Sequence, residues 1–424
     1  MFELNFLEVQ YEKIIQGLQN RGYENAKELV DEALSCNSIR KKLKKEFDAI
    51  STELNRISKK IEIEMRNLGA VDIFIEESKE LKENLKKVKS DLSECEEKLK
   101  RALYNIPNVP AENCPIGKDS KDNKVIFSSE IPVAKFKVPH WELIKDFDII
   151  DFPLGTTLTG AGFPVYKGKG AQLQRALINF FLDEGNKNGA KEFEVPILVN
   201  IDSLYATGQL PDKEEQLYFA TGDFGLIPTA EVPLTNMYRY KIVREEELPI
   251  KLTGFSPCFR REAGSWGANV RGLNRLHQFD KVELVIISDP KDSYKILDEM
   301  RAYVEGLVQK LELPYRVLAL CTGDIGYNAA FTYDIEVFSV GQEMWLEASS
   351  ISNFITYQSN RLQLKYRDKK GELRLVHTLN GSALALPRIV AALLELNFDG
   401  EKINIPRVLQ SYTRFDCIKK NSWN

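Results

Sequence analysis

Histidine is nearly missing from this chain, with three in 424 residues, and the six cysteines at 36, 95, 114, 258, 321 and 417 never form a Cys-x-x-Cys pair. With soft ligands so few and so scattered, neither a disulfide framework nor a structural zinc site is supported, and a reducing, cytosolic compartment is expected. No apolar run approaches the roughly 20 residues needed to cross a bilayer. The opening residues, MFELNFLEVQYEKIIQ, carry acids and lack a basic start followed by an apolar core, so they do not read as a signal peptide. A GxxxxGK loop ending in Ser or Thr is absent, as is a GxGxxG turn after a strand, which disfavours the parallel-sheet nucleotide folds. An excess of one charge sign is lacking too. The 58 Lys and Arg against 62 Asp and Glu leave a net charge of −4, so any nucleic-acid surface must be local. What remains is ordinary for a soluble protein, 43% hydrophobic and 28% charged, and long enough for two or three domains.

From Leu43 the apolar residues Leu43, Phe47, Ile50, Leu54, Ile57 and Ile61 alternate steps of four and three, and Leu81, Leu85, Val88, Leu92, Cys95, Leu99 and Ala102 do the same. Two heptad seams with Asn67-Leu68-Gly69 available as a turn predict an antiparallel two-helix arm, several tens of ångströms long at about 1.5 Å per residue. Between Ile39 and Leu103 there are 17 Lys and Arg against 14 Asp and Glu, a local excess of three positive charges. That excess suits a phosphate backbone. A solvated coiled coil used for dimerisation or as a spacer fits the same pattern. Pro107, Pro110, Pro115 and Gly117, followed by KDSKDNK, then read as a linker. Beyond it, the runs EFEVPILVN, LVIIS, YRVLAL, YDIEVFSV and LRLVHTL read as short strands, with helices expected over 171–186, 292–311 and 385–396. Successive strands with few helices between them predict an α+β domain on a mostly antiparallel sheet.

The stretch from Cys258 to Glu283, CFRREAGSWGANVRGLNRLHQFDKVE, sets arginines and carboxylates around the glycines Gly264, Gly267 and Gly272, between two strand-like runs. Arg260, Arg261, Arg271 and Arg275 can present forked donors to phosphate oxygens, and Glu262 and Glu283 can accept from an amine, a base edge or hold a metal. Surface pairing of Arg with Glu is the plain alternative. Four further segments read as loops. IPTAEVPLTN holds Thr229, Ala230 and Glu231 between prolines, either as a carboxylate awaiting an ammonium group or as a helix N-cap. LCTGDIGYNAAFTYDIEVF lets backbone approach a ligand before an alternating strand. MWLEASSISN gathers Glu347, Ala348, Ser349 and Ser350, a hard-oxygen set for magnesium or a surface turn. HTLNGSALALPRIVAALLE begins with a polar turn at Asn380, Gly381 and Ser382 and runs into an apolar helix whose single arginine, Arg388, needs an anion to justify its desolvation.

Taken together these segments resemble the class II aminoacyl-tRNA synthetases, and within them the bacterial seryl family, over nearly the whole chain. GAGFPVYKGKGAQLQRALINF through EVPILVN resembles motif 1, with Pro196 at its proline; CFRREAG through HQFDKVE resembles motif 2; NGSALALPR resembles motif 3; and TAE at 229–231 is similar to the serine-binding turn. No HIGH-like or KMSKS-like stretch competes. The resemblance implies a tRNA-binding domain over 1–104 with its arm at about 27–103, a linker over 105–124 and a catalytic domain over 125–424. It implies activation of L-serine by ATP to seryl-adenylate and transfer to the 3′ end of tRNA(Ser), with tRNA(Sec) as a further candidate, in a cytoplasmic homodimer that needs Mg²⁺, with no membrane role. Arg260 then holds the ATP α-phosphate and the serine carboxylate. Arg261 and Glu262 accompany it, Glu262 on adenine with Phe279 beneath the base. Arg275 and Arg388 reach the terminal phosphates, and Arg260 and Arg388 carry the catalysis. Glu347 matches a magnesium ligand, in a nucleotide-binding stretch running through Ala348 and Ser349 to Ser350. Thr229, Ala230, Glu231, Arg260, Glu283 and Ser382 surround serine.

The chain departs from the family's pattern at Ala383 and at Leu386-Pro387 in motif 3, at Phe331 where lysine is common, and at Val195 where the first of two prolines often stands. Pro387 is expected to bear on the start of the motif 3 helix and hence on Arg388. Two other readings keep parts of this picture: a truncated relative that loads amino acids onto carrier proteins, against which the heptad arm argues, and a non-enzymatic coiled-coil RNA-binding scaffold. Retention of Arg260, Glu283, Glu347 and Arg388 together argues against the last.

Overall fold

Neither proline nor glycine interrupts residues 26–66 or 72–104, and in the computed structural model these run as two long helices, α1 (Ala26–Arg66) and α2 (Asp72–Tyr104). The structure describes residues 1–67, 69, 71–212, 215–262 and 271–420. Leu68 of the expected turn, and Gly264 and Gly267 of the arginine-bearing stretch, lie outside the described residues. Every residue of both heptad seams is buried or half-buried, while the positions between them are largely exposed. The pairing is antiparallel. Near one end the Cys95 thiol lies 3.4 Å from the Cys36 carbonyl, and near the other the Lys60 ammonium sits 5.5 Å from the Phe74 ring. At about 1.5 Å per residue α1 is roughly 60 Å long. Two short helices, Leu4–Val9 and Tyr11–Asn20, precede the arm and bury Leu7, Ile14 and Leu18.

The chain divides into two compact units, Met1–Pro107 and Asn108–Asn424. The proline-rich stretch expected as a linker bonds within the second unit: Ala111 N–H donates to Ala330 (2.8 Å), Thr322 N–H to Pro115 (2.7 Å) and Gly323 N–H to Gly117 (3.0 Å).

The second unit is built on an eight-stranded sheet. In chain order its strands are β1 (Lys124–Ser128), β2 (Lys191–Glu192), β3 (Ile250–Phe259), β4 (Gln278–Ser288), β5 (Tyr315–Ala319), β6 (Phe331–Ser339), β7 (Met344–Asn353) and β8 (His377–Ala385). Their spatial order is β1-β5-β6-β7-β8-β4-β3-β2, antiparallel throughout except for the β3/β2 pair. The helices that concern the site are α3 (His140–Phe147), α4 (Lys169–Lys187), α5 (Glu231–Asn236), α6 (Ser293–Lys310), α7 (Tyr357–Leu362) and α8 (Leu386–Leu396). Leu173, Leu177 and Phe181 of α4, Val304 and Leu307 of α6, and Ile389 and Leu393 of α8 share one continuous core with Val282, Leu284 and Ile286 of β4 and Ile335 of β6.

Three local expectations need correction. MWLEASSISN, read as a loop, is the strand β7, and the polar turn Asn380-Gly381-Ser382 lies inside β8. Both are interior strands whose small polar residues face a polar cavity, so they satisfy the ladder while imitating loop composition. EFEVPILVN forms strand only at its ends, Lys191–Glu192 and Leu198–Asn200, because Pro196 has no N–H to give a ladder. Pro387, in contrast, leaves the motif 3 helix undisturbed. It falls in the first turn of α8, where a missing N–H costs nothing. Phe331 is buried in the core, its ring edge-on to Tyr333 at 4.9 Å.

Candidate active site

One cavity of about 540 Å³ gathers side chains from the end of β3, from β4, β6, β7 and β8, and from the starts of α5 and α8. Strand register decides which residues reach it. Along β4, Phe279 and Lys281 line the cavity while the intervening Val282, Leu284 and Ile286 fill the core. Across β6 and β7, Glu336 faces Glu347 but Ile335 faces Ser349, so Ala348 is an extra residue in the ladder. That bulge reverses the alternation and brings Glu347 to the same face as Ser350, which pairs with Asp334. An unbulged strand would turn Glu347 and Ser350 to opposite faces.

At the deep end a buried cluster forms around Glu283, which is 0% exposed. Its Oε2 accepts from the Thr229 hydroxyl (3.0 Å) and pairs with the Lys281 ammonium (2.5 Å), which also donates to Thr229 (2.8 Å). Its Oε1 has no partner among the described residues. Glu231 begins α5, its N–H donating to the Thr229 hydroxyl (3.2 Å) and its Oε1 accepting from the Gln358 amide (2.6 Å). Gln358, on α7, is itself held by the Thr378 hydroxyl (2.7 Å). Burial pushes the Glu231 carboxyl up to about 7, and the neighbouring Glu283 carboxylate adds to the rise; the Gln358 amide, Lys281 and Arg260 oppose it.

Toward the other end the Arg260 guanidinium lies 5.2 Å over the Phe279 ring. Glu262 takes a left-handed backbone (φ 50°), with its N–H on Gln216 (3.1 Å) and its carboxylate bonded to Arg275. Arg388, third residue of α8, donates to the Glu347 carbonyl (2.6 Å) and the Asn274 carbonyl (3.3 Å), and lies 3.5 Å from the Glu347 carboxylate. Beside Glu347, burial and that carboxylate hold the Asp334 carboxyl well above the usual range. Its Oδ1 is unpartnered among the described residues.

The cavity thus brings together Thr229, Glu231, Arg260, Glu262, Arg275, Phe279, Glu347, Ala348, Ser349, Ser350, Ser382 and Arg388. It leaves out Ala230, packed against Leu234 and Val285; Arg261, at the surface; and Glu283, one layer beneath the wall formed by Thr229 and Lys281. Sequence reasoning missed Lys281, Asp334 and Gln358. For the first two a signal existed. Phe279, Lys281 and Glu283 stand at alternate positions of one strand, as do Asp334 and Glu336, and charges facing the ligand side of an interior strand are not there for solubility. Gln358 carried no signal, since its role depends on where α7 packs.

The model of the seryl-tRNA synthetase N-terminal domain matches residues 1–110, and that of the tRNA synthetase class II core domain (G, H, P, S and T) matches residues 220–397. Serine--tRNA ligases of Salinibacter ruber and Akkermansia muciniphila are 42% and 43% identical, each over 99% of this chain and 99% of its own length. The crystal structure of seryl-tRNA synthetase from Pyrococcus horikoshii complexed with ATP has a TM-score of 0.89 at 31% identity, covering 99% of this chain and 100% of that one. With both units matched and the likeness running end to end, the chain belongs to the seryl-tRNA synthetases, class II enzymes that use ATP to join serine to tRNA.

Proposed function

We propose that the two ends of the cavity divide the substrates, with serine over the Glu231–Thr229–Lys281–Glu283 cluster and ATP along Phe279, Arg260, Arg275, Glu347 and Arg388. The observation that carries this reading is that division of chemistry within one space, a buried carboxyl and hydroxyl cluster at one end and a guanidinium laid on an aromatic ring at the other. Phe279 offers a stacking face for adenine, with Glu262 at the base edge. Arg261, at the surface, would act from the cavity rim. Glu231 receives the serine ammonium, with Ala230 as the backbone of that turn, and Ser382 and Glu283 address the hydroxyl, Glu283 from beneath the wall by way of Thr229, whose hydroxyl it holds. A site that hydrogen-bonds a substrate hydroxyl rejects alanine strongly, because its buried polar groups would be left unpaired.

The chemistry needs no nucleophile from the protein. The serine carboxylate attacks the α-phosphorus, its new P–O bond forming as the bond to pyrophosphate breaks; a ribose hydroxyl at the tRNA 3′ end then attacks the carbonyl carbon and AMP leaves. Arg260 aligns the carboxylate with the α-phosphate, and Arg275 and Arg388 neutralise the leaving pyrophosphate. Glu347, Ser350 and the unpartnered Asp334 oxygen form a hard donor set that fits Mg²⁺, an ion that keeps waters and takes one or two carboxylates plus phosphates. Bound there, Mg²⁺ would supply Lewis-acid charge on the phosphates. Among the described residues no group of three or more His, Cys, Asp or Glu is placed to hold a metal ion.

In this reading residues 1–104 bind tRNA(Ser), and tRNA(Sec) as a further acceptor, with the arm formed by α1 and α2 along the backbone, while residues 125–424 activate serine. The protein works in the cytoplasm as a homodimer; among the described residues no helix is long and apolar enough to cross a membrane. Serine-dependent ATP-pyrophosphate exchange followed by charging of total tRNA tests the assignment. Exchange and charging are expected with serine, and Arg260→Ala should abolish exchange. Exchange in the Arg260→Ala variant at the wild-type rate would remove Arg260 from the site, and exchange without charging would favour a non-tRNA acceptor.

A further inference from the structure

The last residues before β4 carry Arg275, and the start of α8 carries Arg388. The two are tied together by a side chain that does not itself line the cavity. His140 opens α3 and is fully buried. Its Nε2 accepts the Leu273 N–H at 2.9 Å, so the ring proton sits on Nδ1, which donates to Glu395 Oε1 at 2.8 Å. The same carboxylate accepts the His140 N–H (2.9 Å), the Gly341 N–H (3.0 Å) and the Ser339 hydroxyl. Glu395 is on α8, two turns beyond Arg388. One residue past Leu273, the Asn274 amide donates to Gln342 at 2.7 Å, and the Asn274 carbonyl receives Arg388 at 3.3 Å. Gly272 completes the seat. At φ +68° a Cβ there would lie 2.3 Å from His140 Nε2, so only glycine lets the backbone come close enough for the imidazole to reach Leu273.

We propose that His140 is a positioning residue for ATP. Its imidazole reads the backbone at Leu273 with one nitrogen and the far end of α8 with the other. It thereby fixes the distance between Arg275 and Arg388 before nucleotide arrives. A buried hydrogen bond of this kind holds geometry because breaking it strands a donor out of reach of water. The inference rests on the reading of Arg275 and Arg388 as ATP-phosphate ligands.

The two ring nitrogens can be removed separately in the full-length protein. In His140→Asn the amide stands where Nδ1 was, keeping the bond to Glu395 and losing the acceptor for Leu273; in His140→Gln the amide stands where Nε2 was and keeps that acceptor. ATP binding by calorimetry and the ATP KM in serine-dependent exchange are the readouts, with thermal unfolding alongside. Because the main-chain N–H of residue 140 still holds Glu395 in either variant, while only Gln keeps the acceptor for Leu273, His140→Asn is expected to weaken ATP about tenfold and His140→Gln less than about threefold, with serine KM little changed in both. If His140→Asn does not fold, Gly272→Ala presses on the same bond and should weaken ATP in the same way. Equal weakening by Asn and Gln, or wild-type ATP affinity in His140→Asn while Arg388→Ala loses it, overturns the proposal. Wild-type affinity in both Arg275→Ala and Arg388→Ala would instead take down the reading of the arginines, and this inference with it.

Discussion

At the scale of the residue, Glu231 is poised to report its own occupancy. Its carboxyl is raised to about 7 by burial and by Glu283, and only the ionised form can pair with the serine ammonium. In the serine site proposed above, the folded protein therefore holds below pH 7 a proton that serine must displace. The serine KM should rise toward about tenfold per unit as pH falls from 7 to 5.5, while the ATP KM stays nearly flat. Glu231→Gln should raise the serine KM and flatten that profile; an unchanged slope would assign the titration elsewhere. The linkage to stability has the opposite sense from a salt-bridged carboxylate. Because the folded state binds the proton more tightly, the ligand-free enzyme loses stability as pH rises from 4.5 to 7, and Glu231→Gln should remove that loss in urea titrations.

Lys281 makes a second residue-scale prediction. Replacing it with Met leaves Glu283 fully buried and without its cation, a change that costs about 3–5 kcal/mol in comparable settings. Urea unfolding of Lys281→Met should show a loss of that order, and adding Glu283→Gln should recover most of it; a double variant no better than the single would mean that the pair is not the source. At this scale the sequence was legible where family-like motifs concentrate, at Arg260, Glu262, Phe279 and Arg388. It was not legible where one side chain's task depends on another's place in the fold, as Gln358's depends on Glu231 across 127 positions.

Among the elements, the two-helix arm was the most readable, because a heptad seam is a local pattern and each helix supplies the other's missing face. Its helices, Ala26–Arg66 and Asp72–Tyr104, run beyond the two seams, since helix continues through polar residues that the seam does not count. Removing residues 43–99 should leave serine-dependent exchange near the wild-type rate and reduce tRNA charging at least about a hundredfold, the loss expected when a phosphate-contacting surface is deleted. Charging that survives the deletion would refute the arm's assignment. The strands β7 and β8 were misread for the converse reason. Ser350, Ser352, Asn380 and Ser382 face the cavity, and alternation of polar with small residues carries almost no hydrophobic signal. The bulge at Ala348 was beyond reach as well, since it shows only against the register of β6.

For the whole molecule, the sheet Leu198–Asn200, Phe219–Ala220 and Phe224–Leu226 leaves Leu198 and Phe224 exposed on one face, at the end of the segment resembling motif 1. An exposed apolar sheet of this kind suits a second copy of the chain. Sedimentation should therefore give a dimer, shifted toward monomer by Phe224→Asp, and a wild-type monomer at micromolar concentration would contradict the homodimer. Fold class was legible at this scale because helical arm and strand-rich body have different periods. Strand order was not, since β8 enters between β7 and β4 from almost the end of the chain.

The alternation along β4 has a last consequence. Phe279, Lys281 and Glu283 look one way while Val282, Leu284 and Ile286 look the other, and Glu283 is locked opposite Ser382 of β8. A slip of one residue would send a lysine and a glutamate into the core and three aliphatic side chains into the substrate space. Errors in pairing are thus heavily penalised by the same residues that build the cavity end of the strand. The charged face acts as a check on assembly, so that a chain able to bury its core has, by that fact, already put its substrate-binding groups in order.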